Sequence, residues 1–151
     1  YNVGNAFARL GDWPEAIRNY QRALHFQPYQ PDVMNNLGFA LAQNKEIDQA
    51  IPLFQAVLKM RPDFANAHNN LGSVLFIEGN YLAAARQFYA AAEDAPYEPR
   101  FAVNLGDTLV RLGKIADAAK CYQQALGLEP DNQAVQARLK ALGPNIDTNR
   151  P

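Results

Sequence analysis

The sequence contains few of the residues on which metal-binding and disulfide-rich proteins depend. Among its 151 residues are one cysteine and two histidines. A single cysteine excludes an intramolecular disulfide framework and a cysteine-ligated structural zinc site. Cysteine usage therefore points to a fold that is held together by an ordinary apolar core, and it leaves the redox compartment open.

An excess of charge of one sign is also absent. The 14 lysines and arginines nearly balance the 15 aspartates and glutamates, for a formal net charge of -1. No sequence-wide basic field exists to bind nucleic acid or an anionic membrane surface. The chain has no apolar run of about 18 residues, so we expect no membrane insertion. A hydrophobic content of 48% instead predicts a folded protein about one domain in size.

What the sequence does contain is an internal period of 34 residues. Prolines recur at this interval: Pro28, Pro62, Pro96 and Pro130. Glycines do the same: Gly4, Gly38, Gly72 and Gly106. Alanines recur too, each followed four residues later by an aromatic: Ala16 with Tyr20, Ala50 with Phe54, Ala84 with Phe88, and Ala118 with Tyr122. These registers indicate four copies of one structural unit.

Each copy is predicted to be two helices joined by a turn, because its apolar residues fall at helical spacing. Three turns carry a glycine suited to a left-handed helix end: Gly11, Gly79 and Gly113. Asp12 and Glu15 have the spacing of a capping box. Pro52 falls inside a second helix, so we expect that helix to start late or to bend.

The second unit reads Met34-x-x-Leu37-Gly38-x-x-Leu41, then Ala50-x-x-x-Phe54 and Pro62. This pattern resembles the signature of tetratricopeptide repeat proteins, and the resemblance covers residues 2–142. It implies an all-α fold, a right-handed α-solenoid of helix-turn-helix repeats. The glycine lets the first helix approach the alanine of the second, and the aromatic fills the space beside them.

The repeat register predicts the following organisation: repeat 1 at 1–30, N-terminally truncated; repeat 2 at 31–64; repeat 3 at 65–98; repeat 4 at 99–130; a capping helix at 131–143; and a disordered tail at 144–151. Lys140 stands where the repeats have glycine, so no second helix is expected to follow it. Because Tyr1 falls within a first helix, we expect the chain to be part of a longer protein.

Candidate catalytic residues are scarce. Besides tyrosines, the hydroxyl nucleophiles are Ser73, Thr108 and Thr148. His25 and His68 occupy different slots of different helices, so no triad or metal set can be assembled from them. His68 is predicted to pack between repeats, and Cys121 to be partly exposed and structurally incidental. We therefore predict a non-catalytic protein without cofactor or metal.

The candidate site is a slot that holds the same polar residue in every repeat: Asn2, Asn36, Asn70 and Asn104. In the resembled family the first helices line a concave groove, and these residues resemble the asparagine ladder of O-linked N-acetylglucosamine transferases. A carboxamide offers a donor and an acceptor, so it can pair with an extended peptide backbone. The alternative is that these asparagines bond neighbouring helix ends.

Further residues are predicted on the same face and are expected to contact a partner: Asn35, Asn69, Phe39, Ser73, Phe76, Arg100, Asp107 and Arg111. An apolar strip there is typical of a peptide-binding surface. The alternative for Phe76 is packing against the next repeat. A clamp for C-terminal carboxylates, known in one subclass of the family, is not expected, because the clamp positions of this chain supply at most one cation, Arg100.

The resulting prediction is a protein-interaction module or scaffold that binds an extended peptide or a partner helix in its groove. Two alternatives stay open: a substrate-presenting arm of a larger enzyme such as a glycosyltransferase, and a scaffold that self-assembles through its exposed ends. The compartment is undetermined; the cytoplasm is slightly favoured over a periplasmic or membrane-peripheral location.

Overall fold

A computed structural model describes residues 1–143, and over that span the regular structure is entirely helical. The helices are α1 Asn2–Arg9, α2 Trp13–Phe26, α3 Pro31–Gln43, α4 Ile47–Met60, α5 Ala65–Ile77, α6 Tyr81–Asp94, α7 Pro99–Arg111, α8 Ile115–Leu128 and α9 Gln133–Ala141. They divide into two compact units, Tyr1–Val74 and the part from Leu75 onward. The all-α prediction is confirmed. The tail predicted at 144–151 lies outside the described residues.

The helices keep the period seen in the sequence. The second helices α2, α4, α6 and α8 each span 14 residues and begin at Trp13, Ile47, Tyr81 and Ile115. The late start expected for α4 is therefore wrong, because Pro52 lies inside Ile47–Met60. Phe54 and Val57 on this helix are fully buried. Proline has no backbone N–H, so α4 lacks one helical hydrogen bond at Pro52. Packing of Phe54 and Val57 stabilises the helix despite this loss.

An aromatic ring of the second helix lies directly on the repeat glycine of the first. A Cβ added to Gly38 would lie 2.7 Å from the Phe54 ring, and one added to Gly106 would lie 2.6 Å from the Tyr122 ring. The ring therefore occupies the space of the missing side chain, whereas the sequence placed it beside the glycine. Both rings are buried, so these contacts form the centre of the α3–α4 and α7–α8 hairpins.

Each unit has its own apolar core. In the first unit, one cluster joins four buried residues: Met34, Val57, Phe64 and Ala67. In the second unit, another cluster includes Ala118 and Tyr122 of α8 together with Val135 of α9. Leu139 and Leu142 pack against this same cluster. The last helix thus covers the apolar side of the α7–α8 hairpin.

Half of the predicted capping box is present at the start of α2. The Asp12 carboxylate accepts a hydrogen bond from the Glu15 N–H at 3.2 Å. The Glu15 carboxylate pairs with Arg18 instead of reaching back to the N–H of Asp12. This pairing lowers the pKa of Glu15, chiefly through the hydrogen bond from Arg18. Asn80 and Asn132 cap α6 and α9 in the same way as Asp12 caps α2.

Two non-glycine residues adopt the left-handed conformation: Tyr29, between α2 and α3, and Lys45, in the turn between α3 and α4. Lys45 has a φ of 67°, close to the 73–78° of Gly11, Gly79 and Gly113 in the equivalent turns. A side chain in this region costs about 1–2 kcal/mol. We expect Lys45→Gly to raise the free energy of unfolding by up to about 1 kcal/mol in urea denaturation, since glycine's own chain entropy offsets part of the gain. The reverse change, Gly79→Lys, serves as control and should lower the free energy of unfolding. A change in the same direction for both variants would contradict the assignment of strain to the left-handed conformation.

Candidate functional site

The asparagines of the first unit are hydrogen-bonded to one another. Asn36 Nδ2 donates to Asn5 Oδ1 at 3.2 Å, and Asn70 Nδ2 donates to Asn35 Oδ1 at 3.0 Å. Longer contacts of 3.4 and 3.5 Å link Asn35 to Asn36 and Asn69 to Asn70. These five side chains form a continuous chain of amides across α1, α3 and α5, which we call the carboxamide network.

A tyrosine anchors one end of the carboxamide network. The Tyr20 hydroxyl donates to Asn5 Oδ1 at 2.7 Å, and Tyr20 is 2% exposed. Burial raises the pKa of Tyr20, so its hydroxyl keeps the proton that it donates. Asn36 Nδ2 also lies 3.4 Å from the Tyr1 hydroxyl. The orientation of Asn36 is therefore fixed by partners within the unit.

The carboxamide network leaves hydrogen-bonding capacity for a ligand. Asn36 and Asn70 are half-buried, so part of each residue is accessible to a ligand. A carboxamide has two N–H donors and two acceptor lone pairs. Asn70 uses one of its N–H donors in the network. The Oδ1 atoms of Asn36 and Asn70 each accept one long contact. A peptide backbone could pair with the groups that remain.

A pocket of about 310 Å³ opens beside the network in the first unit. It is lined by Asn5, Ala8, Arg9, Tyr20, Asn36 and Phe39. Phe39 is 40% exposed, and its ring meets Trp13 edge-on at 5.9 Å between centroids. The pocket therefore combines amides, one apolar wall and one cation, which is the chemistry needed to hold a peptide side chain next to its backbone.

The second unit repeats this arrangement with charged groups. Arg138 of α9 stands 34 residues after Asn104 and so occupies the asparagine slot. Its Nε donates to both carboxylate oxygens of Asp107, at 3.0 and 3.3 Å. The Tyr122 hydroxyl donates to the same carboxylate at 2.6 Å. Burial, followed by this hydrogen bond, raises the pKa of Tyr122.

A second pocket of about 310 Å³ lies next to this ion pair and includes Arg100, Asn104 and Arg138 among its lining residues. Arg138 was missed by the sequence analysis. The 34-residue register could have found it, because the register continues into α9. A second signal was available as well: tyrosine in the aromatic slot goes with a polar residue 15 positions earlier, as in Tyr20 with Asn5 and Tyr122 with Asp107.

The predicted partner-contacting residues differ in their accessibility. Four are exposed: Asn2, Phe39, Arg100 and Arg111. Six are half-buried: Asn36, Asn70, Asn104, Ser73, Phe76 and Asp107. Two are buried: Asn35 and Asn69, at 6% and 9% exposure. Asn35 and Asn69 therefore have little surface to offer a partner, and each contacts the next asparagine of the carboxamide network.

Phe76 and Arg111 both contact Tyr81. The rings of Phe76 and Tyr81 meet edge-on at 5.2 Å, and Phe76 also packs against the cluster of Ala84 and Phe88. The Arg111 guanidinium lies 4.8 Å from the centre of the Tyr81 ring. Phe76 is therefore largely a packing residue, whereas Arg111 stays exposed at the surface.

The described hydroxyl nucleophiles are tied to their own helices. Ser73 Oγ donates to the Asn69 carbonyl at 2.9 Å, and Thr108 Oγ1 donates to the Asn104 carbonyl at 2.7 Å. His68 Nε2 lies 2.9 Å from the Pro62 carbonyl oxygen.

Within residues 1–143, no three histidine, cysteine or carboxylate side chains cluster as metal ligands would. None of the helices in that span has the length and apolarity to cross a bilayer.

Comparison with known proteins gives one consistent result. Three tetratricopeptide repeat family models match residues 4–45, 36–99 and 75–142. A structure of MamA from Desulfovibrio magneticus RS-1, residues 41 to end, is 25% identical over 93% of this chain and 80% of that chain, with a TM-score of 0.82. Another MamA structure is 20% identical over 93% and 82%, with a TM-score of 0.82.

YrrB is described as a TPR protein with an unusual peptide-binding site. Its structure is 23% identical over 91% of this chain and 71% of that chain, with a TM-score of 0.77. No match was found among curated protein sequences. The structural likenesses show a shared fold, the α-solenoid of tetratricopeptide repeats predicted from the sequence.

Proposed function

Because the chain belongs to the tetratricopeptide repeat family, we propose that it is a protein-interaction module that binds an extended peptide along the carboxamide network of its first unit. The observation that carries this proposal is the network itself. Its amides are oriented by bonds from Asn36 to Asn5 and from Asn70 to Asn35, and they keep donors and acceptors at the surface. Oriented amides bind without first losing side-chain entropy.

In this proposal the network recognises the peptide backbone, and the pocket beside it selects a side chain. Asn36 and Asn70 pair with backbone N–H and C=O groups, which gives affinity with little sequence preference. Phe39 contacts an apolar side chain, while Arg9 at the pocket wall favours a nearby carboxylate. YrrB shares this fold and is described as having a peptide-binding site, which supports the same type of ligand here.

In the second unit, we propose that the corresponding slots select charged side chains. Arg100 is exposed, Asn104 is half-buried, and the pocket that they line also includes Arg138. Arg138 pairs with Asp107, and Arg100 pairs with Glu98 at 3.3 Å, so a ligand carboxylate would compete with these two carboxylates for the guanidinium groups. Asn2 and Arg111, which are exposed, are proposed as outer contacts on the same type of surface.

The proposal predicts that Asn36→Ala with Asn70→Ala weakens peptide binding by about 1–3 kcal/mol, because each asparagine contributes one net hydrogen bond of about 0.5–1.5 kcal/mol. The ligands are peptides selected from a displayed random library on the full chain, and affinity is measured by fluorescence anisotropy. Some loss of stability is also expected, because both asparagines bond within the unit.

Asn44→Ala is the matched control, since the Asn44 amide bonds Glu46 in the α3–α4 turn. A backbone-binding network also predicts that N-methylation of the contacted peptide bonds abolishes binding, whereas exchanging most ligand side chains does not. Unchanged affinity of the double variant, or full tolerance of N-methylation, would show that the asparagines are structural.

A further inference from the structure

The second unit carries an apolar groove that involves none of the asparagine slots. It lies between α6 and α8, over α7, and has a volume of about 530 Å³. Leu105 and Leu109 of α7 form its floor together with Leu112, the residue that follows this helix. Leu82 and Tyr89 stand on the α6 side, and Cys121 on the α8 side. We call this surface the α6–α8 groove.

Two of its apolar residues depart from the pattern of the other repeats. The slot of Tyr89 holds glutamine elsewhere: Gln21, Gln55 and Gln123. The slot of Leu82 holds Pro14, Asp48 and Ala116. Tyr89 and Leu82 are 57% and 56% exposed. The other repeats fold with mainly polar or small residues in these slots. Leu82 and Tyr89 are therefore not needed for the core, and they add apolar surface that a partner can contact.

The rim of the groove is positively charged. Arg86, Lys114 and Lys120 line it against a single carboxylate, Asp117. None of the three cations forms an ion pair with another described residue. The groove thus presents an apolar floor with an excess of unpaired positive charge on its edges, which complements an apolar ligand flanked by acidic groups.

Lys114 is itself unfavourable for its helix. The equivalent positions of α2 and α6 hold Asp12 and Asn80, whose side chains cap the helix. Lys114 is the N-cap of α8 and makes no side-chain capping bond. A cation also opposes the helix dipole at this end. Lys114 therefore provides no N-terminal cap for α8, but its charge adds to the positive rim of the α6–α8 groove.

We propose that the α6–α8 groove binds an amphipathic helix that carries acidic residues, as a second interaction site separate from the carboxamide network. The apolar floor offers no partners for the backbone of an extended peptide, whereas a helix satisfies its own N–H and C=O groups. Leu82 and Tyr89 lie seven residues apart, or about two helical turns. Apolar anchors at helical spacing would contact this floor, and carboxylates beside them would reach the cations.

The test selects displayed random peptides of about 16 residues, enough for about four helical turns, on the full chain. Counter-selection uses the Leu82→Ala/Tyr89→Gln variant, which restores residues that other repeats hold in these slots. It removes peptides that bind the carboxamide network, because both proteins contain that network. We expect the selected peptides to be acidic, with apolar residues at helical spacing, and to bind the variant at least about tenfold more weakly.

Cys121 reports occupancy of the groove, since it lines the surface and is the only cysteine in the chain. Burial raises the pKa of its thiol to about 11, so alkylation by a maleimide is followed at about pH 9, where the thiolate fraction is measurable. Bound peptide should slow this alkylation several-fold. Failure to select any peptide, selection of peptides without an acidic excess, or unchanged alkylation would overturn the proposal.

A pair of charge variants distinguishes a local effect of the groove cations on binding from an effect of the protein's overall charge. Lys114→Asp should weaken binding of the acidic peptide several-fold while raising the melting temperature, because it restores a cap like that of Asp12. Lys59→Asp makes the same charge change on an exposed residue of α4, outside the groove. Equal weakening by both variants would assign the effect to overall charge and contradict the groove.

Discussion

Replacing Gly38 by leucine is expected to lower the free energy of unfolding by about 3 kcal/mol, because the new side chain collides with a buried ring. A Cβ at Gly38 would lie 2.7 Å from the Phe54 ring, which is fully buried. Unfolding in urea, followed by circular dichroism, measures the change. The collision outweighs the gain in helix propensity from losing a helical glycine, which is about 1 kcal/mol or less.

Gly127→Leu is the matched control. Gly127 lies in α8, and a Cβ there would meet nothing within 4 Å. The same substitution should therefore be neutral or stabilising at this position. A double variant, Gly38→Leu with Phe54→Ala, should be more stable than the sum of the two single changes, because the leucine enters space that the ring has left. Equal destabilisation at Gly38 and Gly127 would contradict the glycine–aromatic contact.

Truncation after Pro130 is expected to destabilise the α7–α8 hairpin by about 3–5 kcal/mol, because it removes α9. Val135 is 3% exposed, and Leu139 and Leu142 pack on the same cluster. Burial of each such side chain contributes at most about 1.5–3 kcal/mol. In hydrogen exchange, residues 99–130 should lose protection and residues 31–64 should change little, since a repeat contacts mainly its neighbours. Exposure of the cluster should also promote self-association.

A pair of point variants in the full chain assigns this effect to α9. Val135→Asp places a charge in the buried cluster, whereas Ala137→Asp places the same charge at an exposed position of the same helix. Only Val135→Asp should reproduce the loss of protection in 99–130. A uniform loss across all repeats would indicate one globally cooperative core, and no loss would show that α9 is not docked.

Most of the fold could be predicted because repeat contacts are local in sequence. The 34-residue period fixed which residues share a slot, and the helices α2, α4, α6 and α8 start in that register. The late start expected from Pro52 was wrong because helix propensity was weighed without the packing of Phe54 and Val57, which lie on the same helix and are buried. The turn at Lys45 shows the same principle, since its φ of 67° is imposed by the hairpin rather than by glycine.

The candidate site was less predictable, because its bonds join different repeats. Whether Asn36 faces a ligand or Asn5 depends on the spacing between α1 and α3, which the sequence does not give. The bond of 3.2 Å between these two side chains turns a row of free amides into a network. Burial of Asn35 and Asn69 depends on the same spacing. The sequence shows which residues are equivalent between repeats, but it does not show which side chains they hydrogen-bond.

The most direct test of peptide binding by the carboxamide network is an NMR experiment on the full chain with a selected, isotopically distinguished peptide. We predict intermolecular nuclear Overhauser effects between the side-chain amide protons of Asn36 and Asn70 and the backbone amide and α protons of the peptide, at distances below about 5 Å as their hydrogen bonds require. If the peptide binds but its backbone contacts neither asparagine, the network is structural and the proposed function is wrong.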